Sequence, residues 1–109
     1  MRFEFATAGR IVFGAGRLKD IGAIAGAFGR SVLLVTGAHA ARADGLRRLL
    51  AQHGLHLTDL SIEHEPTTED LRRGVRLAQD GKCDVVIGFG GGSPMDAAKG
   101  IAALLGNGG

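Results

Sequence analysis

The residues of this chain best suited to chemistry form a run of glycines that ends in a serine, Gly88-Phe89-Gly90-Gly91-Gly92-Ser93. The run follows an apolar stretch and precedes a predicted helix. Its backbone N–H groups would therefore lie at a helix N-terminus, which carries about half a positive charge. Consecutive glycines let a ligand approach the main chain without meeting a Cβ atom, and Ser93 adds a hydroxyl donor. The pattern predicts a phosphate-binding cradle; a tight structural turn is the alternative.

A second glycine cluster, Gly14-Ala15-Gly16, also lies between a predicted strand and a predicted helix. It begins like the dinucleotide-binding fingerprint G-x-G-x-x-G, but Lys19 stands where the third glycine belongs. The acid expected at the end of the next strand is also absent. We interpret this cluster as a tight turn that leads from a hairpin into a helix.

The residue types that bind metals are scattered along the chain. The histidines are His39, His53, His56 and His64. The second and third do not share a helical face because Gly54, between them, ends a predicted helix. We therefore expect neither a metal site nor a catalytic residue in this chain. Cys83 has no Cys-x-x-Cys partner and is predicted to be a structural thiol, and a single cysteine favours a reducing, cytoplasmic setting.

The composition excludes several classes of protein. A length of 109 residues allows one domain, and 45% hydrophobic residues permit a packed core. No uncharged run approaches the ~20 residues that a membrane-spanning helix needs, and Glu4 interrupts the apolar stretch that a signal peptide would need. A net charge of +2 with 5% aromatic residues does not favour a nucleic-acid binder. We expect neither a membrane nor a nucleic acid as partner.

The elements that must position the glycine-rich run alternate along the chain between strands and helices. A hairpin of residues 3–5 and 10–13 comes first. The pattern then predicts, in order, a helix over 17–28, a strand over 31–36, a helix over 40–53, a strand over 55–64, a helix from the Thr67 cap to Gly81, a strand over 84–89 and a helix over 94–105. This order predicts an α/β sandwich with a mostly parallel sheet and right-handed crossovers. The chain stops where another strand would be expected, so we expect residues 1–109 to form one α/β domain that is incomplete at its C-terminus.

Three motifs together resemble one family. The run Gly90-Gly91-Gly92-Ser93-Pro94-Met95-Asp96-Ala97-Ala98-Lys99 resembles the GGGSPxDxAK signature of the iron-containing (group III) alcohol dehydrogenases. Residues 10–16 resemble the opening R-I-x-F-G-x-G of that family, and Pro66-Thr67 matches its P-T before the third helix. The resemblance implies an N-terminal β-hairpin plus a Rossmann-like, mostly parallel sheet with helices on both faces. This is the fold of the N-terminal domain of dehydroquinate synthase-like proteins, here truncated before the helical metal domain.

The same resemblance implies an oxidoreductase that transfers hydride between a small alcohol or aldehyde and NAD or NADP. Residues 1–109 would be its NAD(P)-binding part. A divalent metal, iron or zinc, would be held only in the complete enzyme, so this chain alone is expected to be inactive. A homo-oligomer is also expected. The alternative is a stand-alone nucleotide-binding or regulatory module without catalysis.

The resemblance also assigns roles to individual residues. Gly91, Gly92 and Ser93 would contact the pyrophosphate of the cofactor, and Asp96 would lie near its nicotinamide end. Glu65 falls where many members carry asparagine beside the adenine ribose.

Position 37 bears on the choice between the two cofactors. In NAD-preferring members an aspartate follows the Val-Thr pair, and here Val35-Thr36 is followed by Gly37. Glycine removes the repulsion that a carboxylate would exert on the 2′-phosphate of NADP. We therefore expect NADP to be accepted at least as well as NAD, with Arg42 as a candidate partner of the phosphate. The alternative is that Gly37 is only a turn glycine.

Overall fold

The computed structural model describes residues 3–7, 10–14, 30–90 and 92–106. Its strands are β1 (Phe3–Thr7), β2 (Arg10–Gly14), β3 (Ser31–Thr36), β4 (His56–Ser61) and β5 (Val85–Phe89). Its helices are α1 (Asp44–Gln52), α2 (Thr68–Asp80) and α3 (Gly92–Gly106), and a 3₁₀ turn (Ala40–Ala43) precedes α1.

The five strands form one sheet in the order β2-β1-β5-β3-β4. Strand β3 pairs in parallel with both β4 and β5. Strand β1 pairs antiparallel with β2, which confirms the expected hairpin, and it joins the hairpin to the sheet by pairing antiparallel with β5. The predicted α/β class is therefore confirmed, with a parallel part of three strands and an antiparallel part formed by the hairpin.

Strand β5 is apolar along its whole length, and β3 is apolar between Ser31 and Thr36, because helices cover both faces of the sheet. On one face Val32, Leu34, Val85 and Ile87 pack with Ala43, Leu46 and Leu50 from the 3₁₀ turn and α1. On the other face Leu33, Val35 and Val86 pack with Ala78 of α2 and with Ala97, Ala98 and Ile101 of α3. The two layers of helix that the sequence predicts are both present.

The ends of α1 and α2 follow local rules. Gly54 has a φ of 77°, and the N–H groups of Gly54 and Leu55 donate to the carbonyls of Ala51 and Leu50 at 2.9 and 3.1 Å, which is a Schellman ending. Helix α2 begins with a capping box between Thr67 and Asp70. Both ends confirm the predicted signals.

Three element boundaries differ from the expectation. The predicted helix over 40–53 is a 3₁₀ turn followed by an α-helix from Asp44. The predicted strand over 55–64 pairs only over His56–Ser61, and the last helix begins at Gly92, two residues before Pro94. The predicted helix over 17–28, its Gly29 cap, the hairpin turn at Gly9 and the turn at Ala15-Gly16 lie outside the described residues. Within the described ranges, no helix has the length and apolarity required to cross a membrane.

Candidate functional site

The carboxyl ends of three parallel strands meet at one edge of the sheet. Thr36 of β3 lies opposite Ser61 of β4 and opposite Phe89 of β5. The residues that the sequence analysis singled out follow these ends. Gly37 comes after β3, Glu65 lies in the loop after β4, and Gly92 opens the helix after β5. The fold thus brings three separate parts of the chain to a common edge.

The connections that follow β3 and β5 leave the sheet on opposite faces. Helix α1, after β3, packs on the face of Val32 and Leu34. Helix α3, after β5, packs on the face of Leu33 and Val35. Neighbouring parallel strands whose connections diverge in this way leave a crevice between them, and ligands of open α/β sheets bind in that crevice.

The N-terminus of α3 opens into this crevice with no acidic side chain in its first turn. The other two α-helices that start after strands at this edge are different: α1 carries Asp44 in its first turn, and α2 carries Glu69 and Asp70. A carboxylate in the first turn compensates the positive end of the helix dipole. Of the α-helices in the described residues, only α3 leaves that end for an external anion.

Glycines shape the approach to the N-terminus of α3. Gly90 has a φ of 123°, which side chains rarely tolerate, so the chain turns there directly after β5. A Cβ on Gly92 would have no heavy atom within 4 Å, so the space above the first helical residue is open. The first N–H groups of a helix have no partner within the helix. Open space above such donors, without a competing carboxylate, fits the pyrophosphate of a dinucleotide.

A third glycine sets the position of the helix itself. A Cβ on Gly88 would lie 2.9 Å from Ala98 Cβ and 3.1 Å from Met95 Cα. Helix α3 therefore packs on β5 more closely than any side chain at position 88 would allow. This role of Gly88 was not predicted from the sequence, although a glycine inside an apolar strand is a signal of such close approach.

The predicted site residues occupy different places along this crevice. Gly37 is half-buried, and it lies near α3, because an added Cβ would be 3.4 Å from Pro94 Cγ. Gly92 and Ser93 are the first two residues of α3. Glu65 is exposed in its loop, and within the described residues it makes no hydrogen bond to the other predicted site residues. Gly91 lies outside the described residues.

Two expectations about α3 change because the helix begins at Gly92. Pro94 is the third helical residue rather than the first, and Asp96 is the fifth. Asp96 is exposed and lies beyond the first turn of the helix. Arg42, the candidate phosphate partner, is exposed in the 3₁₀ turn that follows Gly37.

The other reactive residue types lie apart from the crevice. The histidines are all exposed, and in the part of the chain that the structure describes no three His, Cys, Asp or Glu side chains come together as metal ligands. Cys83 is partly buried, and this burial raises the pKa of its thiol. Its Sγ lies 3.8 Å from Thr58 Oγ1. The thiol thus stays protonated at neutral pH, which is consistent with its expected structural character.

The sheet and the crevice together define a Rossmann-like α/β protein. Comparison with known families identifies it more narrowly, since residues 8–109 match the family model described as iron-containing alcohol dehydrogenase. The chain belongs to the iron-containing alcohol dehydrogenase family, as its three motifs suggested.

Curated relatives extend this result. The chain is 27% identical over 108 residues to NADH-dependent butanol dehydrogenase A of Clostridium acetobutylicum; the match covers 94% of the chain and 28% of that protein. It is 29% identical over 106 residues to butanol dehydrogenase B of the same organism, covering 93% of the chain and 27% of the relative. A 38-residue stretch, 35% of the chain, is 55% identical to the bifunctional aldehyde-alcohol dehydrogenase of Escherichia coli and covers 4% of it. The chain thus spans a little more than a quarter of the length of the butanol dehydrogenases.

Proposed function

We propose that residues 1–109 form the NAD(P)-binding α/β domain of a metal-dependent alcohol dehydrogenase that acts on small alcohols or aldehydes in the cytoplasm. The observation that carries this proposal is the N-terminus of α3, which opens into the crevice between β3 and β5 without an acid in its first turn. Membership of the family supports the reaction class, and the names of the butanol dehydrogenase relatives support a small alcohol as substrate.

The residues of this chain bind and orient the cofactor. Backbone N–H groups of Gly91 and Gly92, with the Ser93 hydroxyl, hold the pyrophosphate. Asp96 lies toward the nicotinamide end and Glu65 toward the adenine ribose. When bound, NAD(P) supplies the hydride acceptor or donor. The described residues offer no group of metal ligands, so we assign the metal of the family to none of them.

The substitution Gly92→Val tests the pyrophosphate site. The Cβ of a valine would meet no heavy atom within 4 Å, so we expect the protein to stay folded and, because the side chain occupies the space above the first turn of α3, to lose NADPH and NADH binding. The measurement is a fluorescence titration of both cofactors. The matched control is Gly45→Val, at an exposed glycine in the first turn of α1, which should bind both cofactors like the parent. Unchanged binding by a folded Gly92→Val variant would place the site elsewhere.

We infer further that NADP is accepted at least as well as NAD, because Gly37 provides no carboxylate at the end of β3. The φ angle of Gly37 is not positive, unlike those of Gly54 and Gly90. An added Cβ would lie 3.4 and 3.5 Å from Pro94 Cγ and Cδ, which is ordinary van der Waals contact. Neither the backbone nor the space requires glycine at this position. This weakens the alternative that Gly37 serves only as a turn residue.

The substitution Gly37→Asp tests this preference, with Gly37→Ala as the control for added bulk. A carboxylate would repel the 2′-phosphate of NADP and accept hydrogen bonds from the ribose of NAD. In the aspartate variant we expect the ratio of the dissociation constants for NADP and NAD to change about tenfold in favour of NAD, or about 1.4 kcal/mol. The alanine variant should keep the ratio of the parent. The same ratio in parent and aspartate variant would contradict the inference.

A further inference from the structure

The ring of Pro94 lies near two glycines. Gly37 directly follows β3, and Gly90 directly follows β5. Pro94 is buried. A Cβ on Gly37 would lie 3.4 Å from Pro94 Cγ, and a Cβ on Gly90 would lie 3.3 Å from the same atom. One ring edge therefore faces both glycines, with room for about one carbon atom between the ring and each of them.

The backbone of Pro94 is fixed as well. Its carbonyl oxygen would lie 3.1 Å from a Cβ on Gly88, so the residue rests directly on β5. A third helical residue has an N–H without a partner inside the helix, so a proline costs α3 no hydrogen bond at this position. Pro94 is thus rigid and buried, and it lies beside two separate backbone segments, the turn at Gly37 and the end of β5.

These contacts point to a role in spacing. The turn at Gly37 cannot move toward α3 without meeting the ring, and the loop at Gly90 is limited by the same carbon atom. The proposed pyrophosphate donors at Gly92 and Ser93 precede Pro94 directly in the helix. The ring therefore separates the place where the 2′ group of the cofactor would lie from the place where its pyrophosphate would lie.

We propose that Pro94 is a positioning residue that fixes the turn at Gly37 against the first turn of α3, and thereby couples recognition of the cofactor 2′ group to binding of its pyrophosphate. This inference rests on the proposed cofactor site. Under this proposal two features determine which cofactor is preferred. One is the lack of a side chain at position 37, and the other is the distance between the turn at Gly37 and the first turn of α3.

The substitution Pro94→Ala tests the coupling by direct binding. It removes the ring carbons that face Gly37 and keeps a residue that favours helix. We expect the dissociation constant for NADPH to rise about fivefold, a size typical of coupled neighbouring residues, while that for inorganic pyrophosphate stays unchanged. Pro66→Ala, at the other proline of the chain, should leave both constants unchanged. Isothermal titration calorimetry with each ligand measures these constants.

Two further variants make the result independent of a general loss of structure. Pro94→Val restores part of the lost volume and should recover part of the NADPH affinity. Gly37→Val, whose branched side chain extends beyond a Cβ that would already be in contact with the ring, should weaken NADPH binding in the parent and should have a smaller effect in the Pro94→Ala background. Additive effects of the two substitutions, or equal losses for NADPH and pyrophosphate, would overturn the proposal. A parent protein that binds neither ligand would instead refute the proposed function, and the inference with it.

Discussion

Gly88 and Gly92 lie four residues apart, and each is glycine for a different reason. At Gly88 the neighbouring helix leaves no room for a side chain, since an added Cβ would meet Ala98 Cβ at 2.9 Å. At Gly92 an added Cβ would meet nothing within 4 Å. The first glycine therefore permits close packing, and the second leaves open space at the surface, where we propose that the pyrophosphate binds.

Because of this difference, we expect substitutions at the two glycines to change the free energy of unfolding by different amounts. Gly88→Ala forces α3 away from β5 and should lower the free energy of unfolding by about 1–3 kcal/mol, the usual cost of overpacking. Gly92→Val should change it by less than ~0.5 kcal/mol, as is usual for an exposed position. Urea unfolding followed by circular dichroism measures both values. Equal destabilisation by the two substitutions would show that the assignment of roles is wrong.

The sequence predicted the glycine-rich run as a phosphate cradle, but it did not distinguish the glycines within it. Composition and order along the chain show that backbone approach is possible at Gly90 and Gly92. They do not show which neighbouring atoms approach, because Ala98 comes close to Gly88, and Pro94 to Gly90, only after α3 packs on the sheet. For the same reason the contact of Pro94 with Gly37 could not be predicted from their 57-residue separation in the chain.

At the scale of single elements, α2 shows how local groups fix a helix start beside the site. Thr67 Oγ1 accepts the N–H of Asp70 at 3.1 Å, and the Asp70 carboxylate accepts the N–H of Thr67 at 3.0 Å. The same carboxylate lies 3.1 Å from His64 Nε2. The backbone N–H of Thr67, aided by the Thr67 hydroxyl, His64 and Arg73, lowers the pKa of Asp70. This set of contacts holds the end of the loop that carries Glu65.

Substitutions in this capping box should weaken the fold in a pH-dependent way. Thr67→Ala should lower the free energy of unfolding by about 1 kcal/mol, and Thr68→Ala, one residue into the helix, should have a smaller effect. Because the pKa of Asp70 is lower in the folded state, its contribution is present above its unfolded pKa and is lost as the pH falls through the folded value. Asp70→Asn should therefore destabilise the protein at pH ~7 and have no effect at pH ~2. Urea unfolding at both pH values tests this, and a penalty that persists in acid would contradict it.

The boundaries of α1 show which local signals suffice for prediction and which do not. Its end was predicted from Gly54 and is confirmed by a left-handed glycine in a Schellman ending. Its start was expected at Ala40, but His39 makes no side-chain capping bond, and the α-helix begins only at Asp44, which has an acidic side chain suited to the first turn. A boundary is predictable where one residue type determines it, and less so where several weak signals compete.

At the scale of the whole molecule, the alternation of strands and helices was enough to predict the α/β class, but the order of the strands was not. Strand β5 pairs with β3, which precedes it by two strands in the chain, and with β1 of the hairpin. Such pairings join residues far apart in sequence, and the apolar pattern of β5 is compatible with any central position. The crevice depends on this order, since it lies where the connections after β3 and β5 diverge.

The uneven placement of acids among the helix starts also has a kinetic consequence. If the chain binds the cofactor as proposed, the uncompensated positive end at the mouth of the crevice should attract dinucleotides from solution, although the net charge of the chain is only +2. The second-order rate constant for NADPH association should therefore fall as salt rises from ~0.01 to ~0.15 M, where the screening length shortens from ~30 to ~8 Å. NADH, which lacks the 2′-phosphate, should show a shallower dependence, and dissociation should change little for either. Stopped-flow measurements that found both association rates insensitive to salt would show that encounter with the crevice is not electrostatically guided.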